Sequence, residues 1–512
     1  MTRLSGILLP VFSLRRAVDF GVGDFGAMPG LLDWCHRAGQ RLVMVLPLLP
    51  TAPGDTSPYS TRSAFGLNPL FLDLSSLPEF QHAGGEASLT SAQHRMLAEA
   101  RASPAVRYDL VFALKGAALR TAYARFESEG LATARAQAFA AWAAGQAHWL
   151  DTFALFTALS EAHGRQAWWE WPAPLRDRQA AALHEARRAL AGEVRFHSWL
   201  QWLCAEQWNA VRAHARSRGV LLCGDEPFII GQDSADCWAN PTLLRRDARL
   251  GVPPDDFSAT GQDWGLPYFD FAALAAAGNT WLRARAAHAA ATYDVRRIDH
   301  AVGYFRQYIR DAATPDGRFV PTDEPAQRAL GELNFRLFSE GAGIVAEDLG
   351  VIPPFVREVL AQLQLPGYRV MRWERDGGTY RDPRAWPAVS LATTGTHDTE
   401  TLAEWWEAEG PHVRAAVAAA YPEFQGMDGV DAAFTPRVHE ALVAAALNAS
   451  SDVCVLPWQD VFARRERVNL PGTTGPSNWS YRVEWDMDVL AAQPEAAARA
   501  AWLKRLTQEA GR

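Results

Sequence analysis

The sequence predicts an α/β fold, a (β/α)8 (TIM) barrel carrying large, mainly helical insertions between strands, and three observations carry that reading. Eight short apolar runs are spread along the 512 residues, segments of helix-forming composition separate them, and the runs end in polar or charged residues. Strands buried on both faces read as continuous apolar runs. Alternation with helices implies right-handed β-α-β crossovers in a parallel sheet. Eight such units close a barrel, with a doubly wound open sheet as the competing arrangement.

In chain order the runs are GILLPVF at 6–12, RLVMVLPLL at 41–49, GVLLCGDEP at 219–227, YDVRRIDH at 293–300, GIVAEDLG at 343–350, YRVMRWE at 368–374, VSLATTGTHDT at 389–399 and DVCVLPWQD at 452–460. The first follows Arg3 and has something of the layout of a signal peptide. Pro10 interrupts it, no small-residue cleavage pattern follows, and Arg15 and Arg16 stand on the wrong side, so it reads as a first buried strand. Between the second and third runs the chain opens with TAPGDTSPYSTRSAFGLNPLFLDL at 51–74, rich in Pro, Ser and Gly. Ala-, Arg- and Glu-rich sequence follows, and residues 75–218 read as an inserted, mostly helical subdomain. A second insertion at 234–270 has the Pro and Gly density of an ordered functional loop. After the eighth run there is room for a closing loop and helices such as EAAARAAWLKRLTQEA, and none for a C-terminal β-sandwich. No internal repeat is visible, so residues 1–512 read as one catalytic barrel.

Composition excludes several classes. Lys+Arg number 50 against 58 Asp+Glu, a net charge of -8, which leaves no basic footprint for nucleic acid and no polybasic membrane anchor. No apolar run approaches membrane-spanning length. Cys35, Cys204, Cys223, Cys237 and Cys454 are widely spaced with no CxxC pair, so neither a disulfide framework nor a zinc knuckle is suggested and a reducing cytoplasm is expected. The 20 Trp, 24 Phe and 11 Tyr supply flat rings that serve the core and also suit the apolar faces of sugars.

In such a barrel the active site lies at the C-terminal ends of the strands. Asp299 in RIDH, Glu347 in EDLG and Asp398 in TGTHDT fall there. One alone would be a structural acid. Three on separate strands of one rim point to acid, base or nucleophile chemistry. Glycoside cleavage with retention needs such a set, one carboxylate attacking the anomeric carbon and a second acid about 5 Å away serving the leaving and attacking oxygens. Their environments must differ so that one stays ionised while the other keeps its proton. Arg297 precedes Asp299 by two residues, so on a strand both project to one face and the guanidinium holds the carboxylate ionised.

These motifs resemble those of the 4-α-glucanotransferases (amylomaltases, disproportionating enzymes) of glycoside hydrolase family 77. SGILLPVFSL near the start, SPYSTRSAFGLNPLFLDL at 57–74, DSADCWA at 233–239, GVPPDDFSATGQDWGLPYF at 251–269 and NLPGTTGPSNWSYR at 469–482 stand in the family order, so the resemblance covers nearly the whole chain. It implies that Asp299 is the nucleophile, Glu347 the general acid/base, and Asp398 a ligand of sugar hydroxyls that stabilises the oxocarbenium-like transition state. Arg297, His300 and His397 would hold the sugar at the cleavage point, with Tyr59 stacking on it and Ser57 nearby. Asp255, Gln262 and Trp264 match a loop over the acceptor side, and Asn469 a position near the donor glucan. The implied reaction moves α-1,4-glucan segments to the 4-hydroxyl of an acceptor by retaining double displacement, without cofactor or metal. Its partners would be maltooligosaccharides, amylose, and glucans derived from starch or glycogen, with no nucleic acid or membrane, on a monomer or dimer.

The chain departs from the common family pattern at three places: HAVGY stands where many members read HFRGF, GDEPF at 224–228 where many read GDLPI, and Thr399 where many have Asn. The three carboxylates are intact, and the departures bear on contacts that set chain-length preference. Transfer rather than hydrolysis requires a cover that excludes water, for which 251–268 with Trp264 and Tyr268 is the candidate. An α-amylase-type hydrolase would add a β-sandwich and often bind calcium, and no EF-hand-like run is present. An inactive glycan-binding barrel would have lost a carboxylate. A metal-dependent barrel enzyme using Asp and His ligands would lose activity to a chelator.

Overall fold

The computed structural model describes residues 3–253, 261–311, 317–427 and 433–512. Among them the strands, in chain order, are β1 (Leu4–Leu8), β2 (Leu42–Val45), β3 (Leu221–Glu226), β4 (Leu244–Val252), β5 (Gln262–Phe269), β6 (Val295–Ile298), β7 (Gln307–Asp311), β8 (Arg318–Val320), β9 (Gly343–Ala346), β10 (Gly367–Val370), β11 (Arg375–Asp376), β12 (Thr379–Tyr380), β13 (Ser390–Thr393) and β14 (Val453–Pro457). Strands β1, β2, β3, β6, β9, β10, β13 and β14 are parallel neighbours in that order, and β14 pairs back with β1 to close a barrel. Each of the eight apolar runs supplies one barrel strand. Every residue of β2, β13 and β14 is buried, as expected where side chains fill the barrel on one side and meet helices on the other.

The register places the rim residues. Ile298 of β6 lies beside Glu226 of β3 and Ala346 of β9, so the residues just beyond the three strands form one row at their C-terminal ends. Glycine is required where strands crowd: a Cβ on Gly6 in β1 would lie 2.3 Å from the Leu42 carbonyl oxygen of β2.

Between β2 and β3 stand helices that include Tyr108–Glu129, Ala147–Ala162 and Ala191–Ser217. The last is at once the end of this helical region and the crossover into β3, and its Trp208 donates to the Thr292 carbonyl (2.9 Å) while packing on Phe25 and Tyr293. Helix Tyr108–Glu129 is tied to the barrel by a charge. Lys115, buried, donates to the Leu72 carbonyl at 2.6 Å. Burial pushes the Asp24 carboxyl up to about 8 and the Lys115 ammonium down, and each group opposes the other's shift.

The segment at 234–270, read from the sequence as loop, contains two paired strands. β4 and β5 are antiparallel, and β7 and β8 from the stretch after β6 extend them into a four-stranded sheet ordered β5-β4-β7-β8. Gly265 and Pro267 disguise β5 as a loop. An edge strand tolerates a proline, and β5 is an edge. Beyond β14 the described chain ends in the helix Pro494–Glu509, and no described helix is long and apolar enough to cross a membrane.

Because Gly6 faces backbone rather than a movable side chain, Gly6→Ala should cost about 1–3 kcal/mol. The expected result is a clear fall in melting temperature, and an unchanged one would show that β1 and β2 have slack.

Candidate active site

The strand ladders run one residue past β6 and β9. Asp299 N–H donates to the Glu226 carbonyl, Glu347 N–H to that of Ile298 and Ala301 N–H to that of Glu347, each at 3.0 Å. Asp299 and Glu347 thus stand side by side on neighbouring parallel strands, whose backbones lie about 4.8 Å apart.

Arg297 organises one side. Its Nη1 lies 2.7 and 2.8 Å from the two oxygens of Asp225 and 2.8 Å from Asp299 Oδ1. Burial alone would lower its pKa, and Asp225, Tyr59 and Asp299 around it outweigh burial and raise it well above the usual value. It is a permanent cation. Glu347 has no such partner among the described residues. Its Oε2 accepts from the His300 N–H (2.8 Å) and its Oε1 from the Leu349 N–H (3.2 Å). Burial pushes its carboxyl up to about 8, Arg297 opposing the rise and Asp299 adding to it.

The backbone at His300 is left-handed, φ 46°, which turns the chain from β6 into the short helix Ala301–Tyr304 directly after the amide that donates to Glu347. The imidazole sits between Trp264 (ring centroids 4.8 Å apart) and Phe228 (5.5 Å). Burial lowers its pKa to about 4, so it is neutral near pH 7 and offers one N–H and one lone pair. Gly303 makes room: a Cβ there would lie 2.6 Å from the Phe228 ring and 2.9 Å from His300 Cδ2. Phe228 also meets the Tyr304 ring edge-on at 4.8 Å, and Tyr304 donates to the Phe228 carbonyl (2.8 Å). Two of the departures, GDEPF and HAVGY, are therefore packed against each other. Glu226 of the same stretch lies 3.2 Å from Arg296 and 3.7 Å from Arg285, both buried.

The third carboxylate is held from the far side. Asn469 Nδ2 donates to Asp398 Oδ1 (2.7 Å), its N–H to the His397 carbonyl (3.1 Å), and Arg467 to the Asp398 carbonyl (3.1 Å). Thr399 closes the turn, its hydroxyl accepting from Thr396 N–H (3.0 Å) and donating to Thr396 O (3.2 Å). Tyr59 joins the two halves. Its hydroxyl donates to Asp225 Oδ2 (2.7 Å) and lies 3.0 Å from His397 Nε2, with the two rings stacked at 5.5 Å. Its one proton being given to Asp225, Tyr59 accepts from His397, which must carry hydrogen on Nε2, and that nitrogen is also 3.3 Å from Asp398 Oδ2.

Of the residues singled out in the sequence, Asp299, Glu347, Asp398, Arg297, His300, His397, Tyr59, Asn469 and Trp264 meet in one contact network. Ser57 takes part through its backbone neighbour, its Oγ accepting from Tyr59 N–H (3.3 Å). Gln262 is exposed and accepts from Trp264 Nε1 (3.2 Å). Asp255 lies outside the described residues. Sequence reasoning missed Asp225, the acid at the end of the third run, although it obeys the same strand-end rule as the others. It also missed Trp479, whose ring lies 5.7 Å from Tyr59 and 5.9 Å from His397. Among the described residues one cluster has metal-ligand geometry: Glu161, Glu193 and His197 in the helical region. Arg120 already lies 2.6 Å from Glu193 and 3.3 Å from Glu161, so a guanidinium occupies the charge a metal would need.

A family model described as 4-alpha-glucanotransferase matches residues 9–488. The 4-alpha-glucanotransferase of Thermus thermophilus is 35% identical over 503 residues, covering 94% of this chain and 95% of its own. That of Chlamydia pneumoniae is 32% identical over 500 residues, covering 95% and 92%. An amylomaltase from Streptococcus agalactiae, solved in complex with acarbose, superposes with a TM-score of 0.84 at 26% identity, over 100% of this chain and 99% of that one.

Tyr59→Phe removes the group that satisfies both Asp225 and His397, and should lower stability by about 1–3 kcal/mol. Denaturant unfolding measures this, and an unchanged midpoint would mean that other donors and acceptors replace the hydroxyl.

Proposed function

The chain belongs to the 4-alpha-glucanotransferase family, glycoside hydrolase family 77, and on that premise we propose how its own side chains carry the transfer. Asp299 attacks the anomeric carbon of the donor glucan. Glu347 protonates the departing glycosidic oxygen, so the leaving chain goes as a neutral 4-hydroxyl and a covalent glycosyl-Asp299 ester remains. An acceptor then enters, Glu347 takes the proton from its 4-hydroxyl, and that oxygen displaces Asp299 with overall retention. One proton leaves Glu347 and one returns, so the cycle needs no cofactor. Asp398, Arg297, His300, His397, Asn469 and Tyr59 hold the sugar at the cleavage point. Trp264, Gln262 and Asp255 belong to the cover on the acceptor side.

The observation that carries this reading is the contrast between two carboxyls on adjacent strands. Asp299 accepts from a permanent cation at 2.8 Å, while the Glu347 carboxyl is pushed up to about 8 by burial. A nucleophile needs the first environment and a general acid the second. The neutral His300 fits hydrogen bonding to a sugar hydroxyl. The acarbose complex of the streptococcal neighbour fits an α-glucan as ligand. The helical region at 75–218 and the segment at 234–270 are inserted subdomains of a single barrel. The protein works in the cytoplasm as a monomer or dimer, and a reducing compartment suits its five buried, unpaired cysteines.

Incubation with maltotriose alone, chelator present, should produce a ladder of longer maltooligosaccharides plus glucose. Maltose and glucose alone would mean that water captures the intermediate and the protein is a hydrolase; no products would favour a glycan-binding barrel. Asp299→Asn should lower turnover by about four orders of magnitude or more with the fold intact, and substantial residual activity would remove it from the nucleophile role. Since Glu347 must enter the first step protonated, kcat/KM should fall as pH rises through about 8. A profile flat well past that point would place the proton donor elsewhere.

A further inference from the structure

Behind the rim three charged side chains are buried together: Glu226 of β3, Arg296 of β6, and Arg285 in the helix Thr280–Thr292 that leads into β6. Their strand neighbours Asp225 and Arg297 face each other inside the barrel, so Glu226 and Arg296 point outward, toward that helix. One carboxylate thus meets two guanidinium groups. Arg296 is the nearer, at 3.2 Å against 3.7 Å for Arg285, and it alone would balance Glu226. Arg285 adds a second buried charge, which is costly unless its hydrogens are used elsewhere.

They are used on the loop that follows β3. Arg285 Nη1 donates to the Phe228 carbonyl (3.1 Å) and to the Tyr304 hydroxyl (3.3 Å), and its Nη2 donates to the Pro227 carbonyl. Tyr304 in turn donates to the same Phe228 carbonyl (2.8 Å). One guanidinium therefore ties two consecutive carbonyls to the hydroxyl of a residue just past the His300 turn. The Phe228 ring stands between the two, 4.8 Å from the Tyr304 ring and 5.5 Å from the His300 imidazole. Gly303 shows how little slack there is, since a Cβ on it would meet both Phe228 and His300 at under 3 Å. In packing this close a displacement of the 227–228 backbone is passed on to the imidazole.

We infer that Arg285 is a positioning residue for His300: from behind the barrel wall it fixes the Phe228 backbone and the Tyr304 hydroxyl, and through the Phe228 ring it seats the imidazole that holds the sugar at the cleavage point. This rests on the transferase reading above. Arg285 touches neither substrate nor the reacting carboxylates and acts only through the loop it binds. A lysine would supply the charge without the planar fork that serves three acceptors at once.

The test measures steady-state transfer on maltotriose for Arg285→Met and Arg285→Lys, each in the unchanged protein and in a His300→Ala background. Without Arg285 the Glu226–Arg296 pair remains, so the buried charges still balance. Arg285→Met should lower kcat/KM about tenfold where His300 is present and no more than about twofold where it is absent, because a residue that acts through another loses its effect when that other is gone. Arg285→Lys should recover little of the loss. An equal fall in both backgrounds would overturn the inference and mark a purely structural role. The second readout is the imidazole itself. In protein carrying isotope-labelled histidine, the His300 Cε1–H resonance is the one missing from His300→Ala, and it lies in the ring-current fields of Phe228 and Trp264. It should move in both Arg285 variants, and by less in Tyr304→Phe, which removes a single hydroxyl from the Phe228 carbonyl and serves if the Arg285 variants do not fold. A His300 resonance unmoved in the folded variants would overturn the inference whatever the kinetics, including where His300→Ala is itself inactive. Failure of the transferase reading would show separately, as absence of a maltotriose ladder from the unchanged protein, and the histidine spectrum would still decide Arg285.

Discussion

One guanidinium nitrogen, Arg297 Nη1, is shared between Asp225 on β3 and Asp299 at the end of β6, and the arrangement of the rim depends on it. A buried arginine is costly unless its charge is paired and its hydrogens are used. Two carboxylates within 2.8 Å meet that condition, and they pin adjacent strands in a register where Asp225 lies opposite Arg297 itself. From Asp225 the network continues through Tyr59 and His397 to Asp398 and Asn469. Five separate stretches of chain are tied in this line. Each polar group in it is oriented by the next, so the site is organised before any sugar arrives, and organisation in advance is what electrostatic catalysis requires.

Glu347 stands beside this line without belonging to it. Its donors are the backbone amides of His300 and Leu349, and the guanidinium that serves Asp299 is directed to other oxygens. Asp299 thus faces the guanidinium, while Glu347 takes its hydrogen bonds from backbone amides and burial pushes its carboxyl up. The left-handed turn at His300 couples them. The residue after the proposed nucleophile aims its amide at the proposed acid/base, and Phe228 and Trp264 hold that turn from either side.

Two stretches that differ from the common family pattern meet beside the site. Phe228 and Tyr304 fall in two motifs that differ from the common family pattern, and their rings are in contact. Glu226, in the first of these motifs, is balanced by Arg296 and Arg285. In a close-packed interior a large or charged side chain is kept only where its neighbours accommodate it. Thr399 replaces a side-chain amide with a hydroxyl that still closes its turn on Thr396.

The sequence by itself determined the barrel and most of the candidate site on its rim. Apolar runs buried on both faces cannot be hidden in any other periodicity, and strand ends are where a parallel barrel presents its chemistry, so Asp299, Glu347 and Asp398 could be found from their places in the chain. The sheet β5-β4-β7-β8 was not legible. Gly265 and Pro267 are local signals for a loop, and only the edge position of β5, a property of the assembled sheet, makes them harmless. Asp225 was equally hidden, although Arg297 was not. A carboxylate at a strand end shows its role only when the register sets it against a particular arginine, and register is decided by barrel closure. The Tyr59 bridge spans residues 59, 225 and 397, and no spacing in a linear chain encodes a hydrogen bond between loops that meet only when eight strands close.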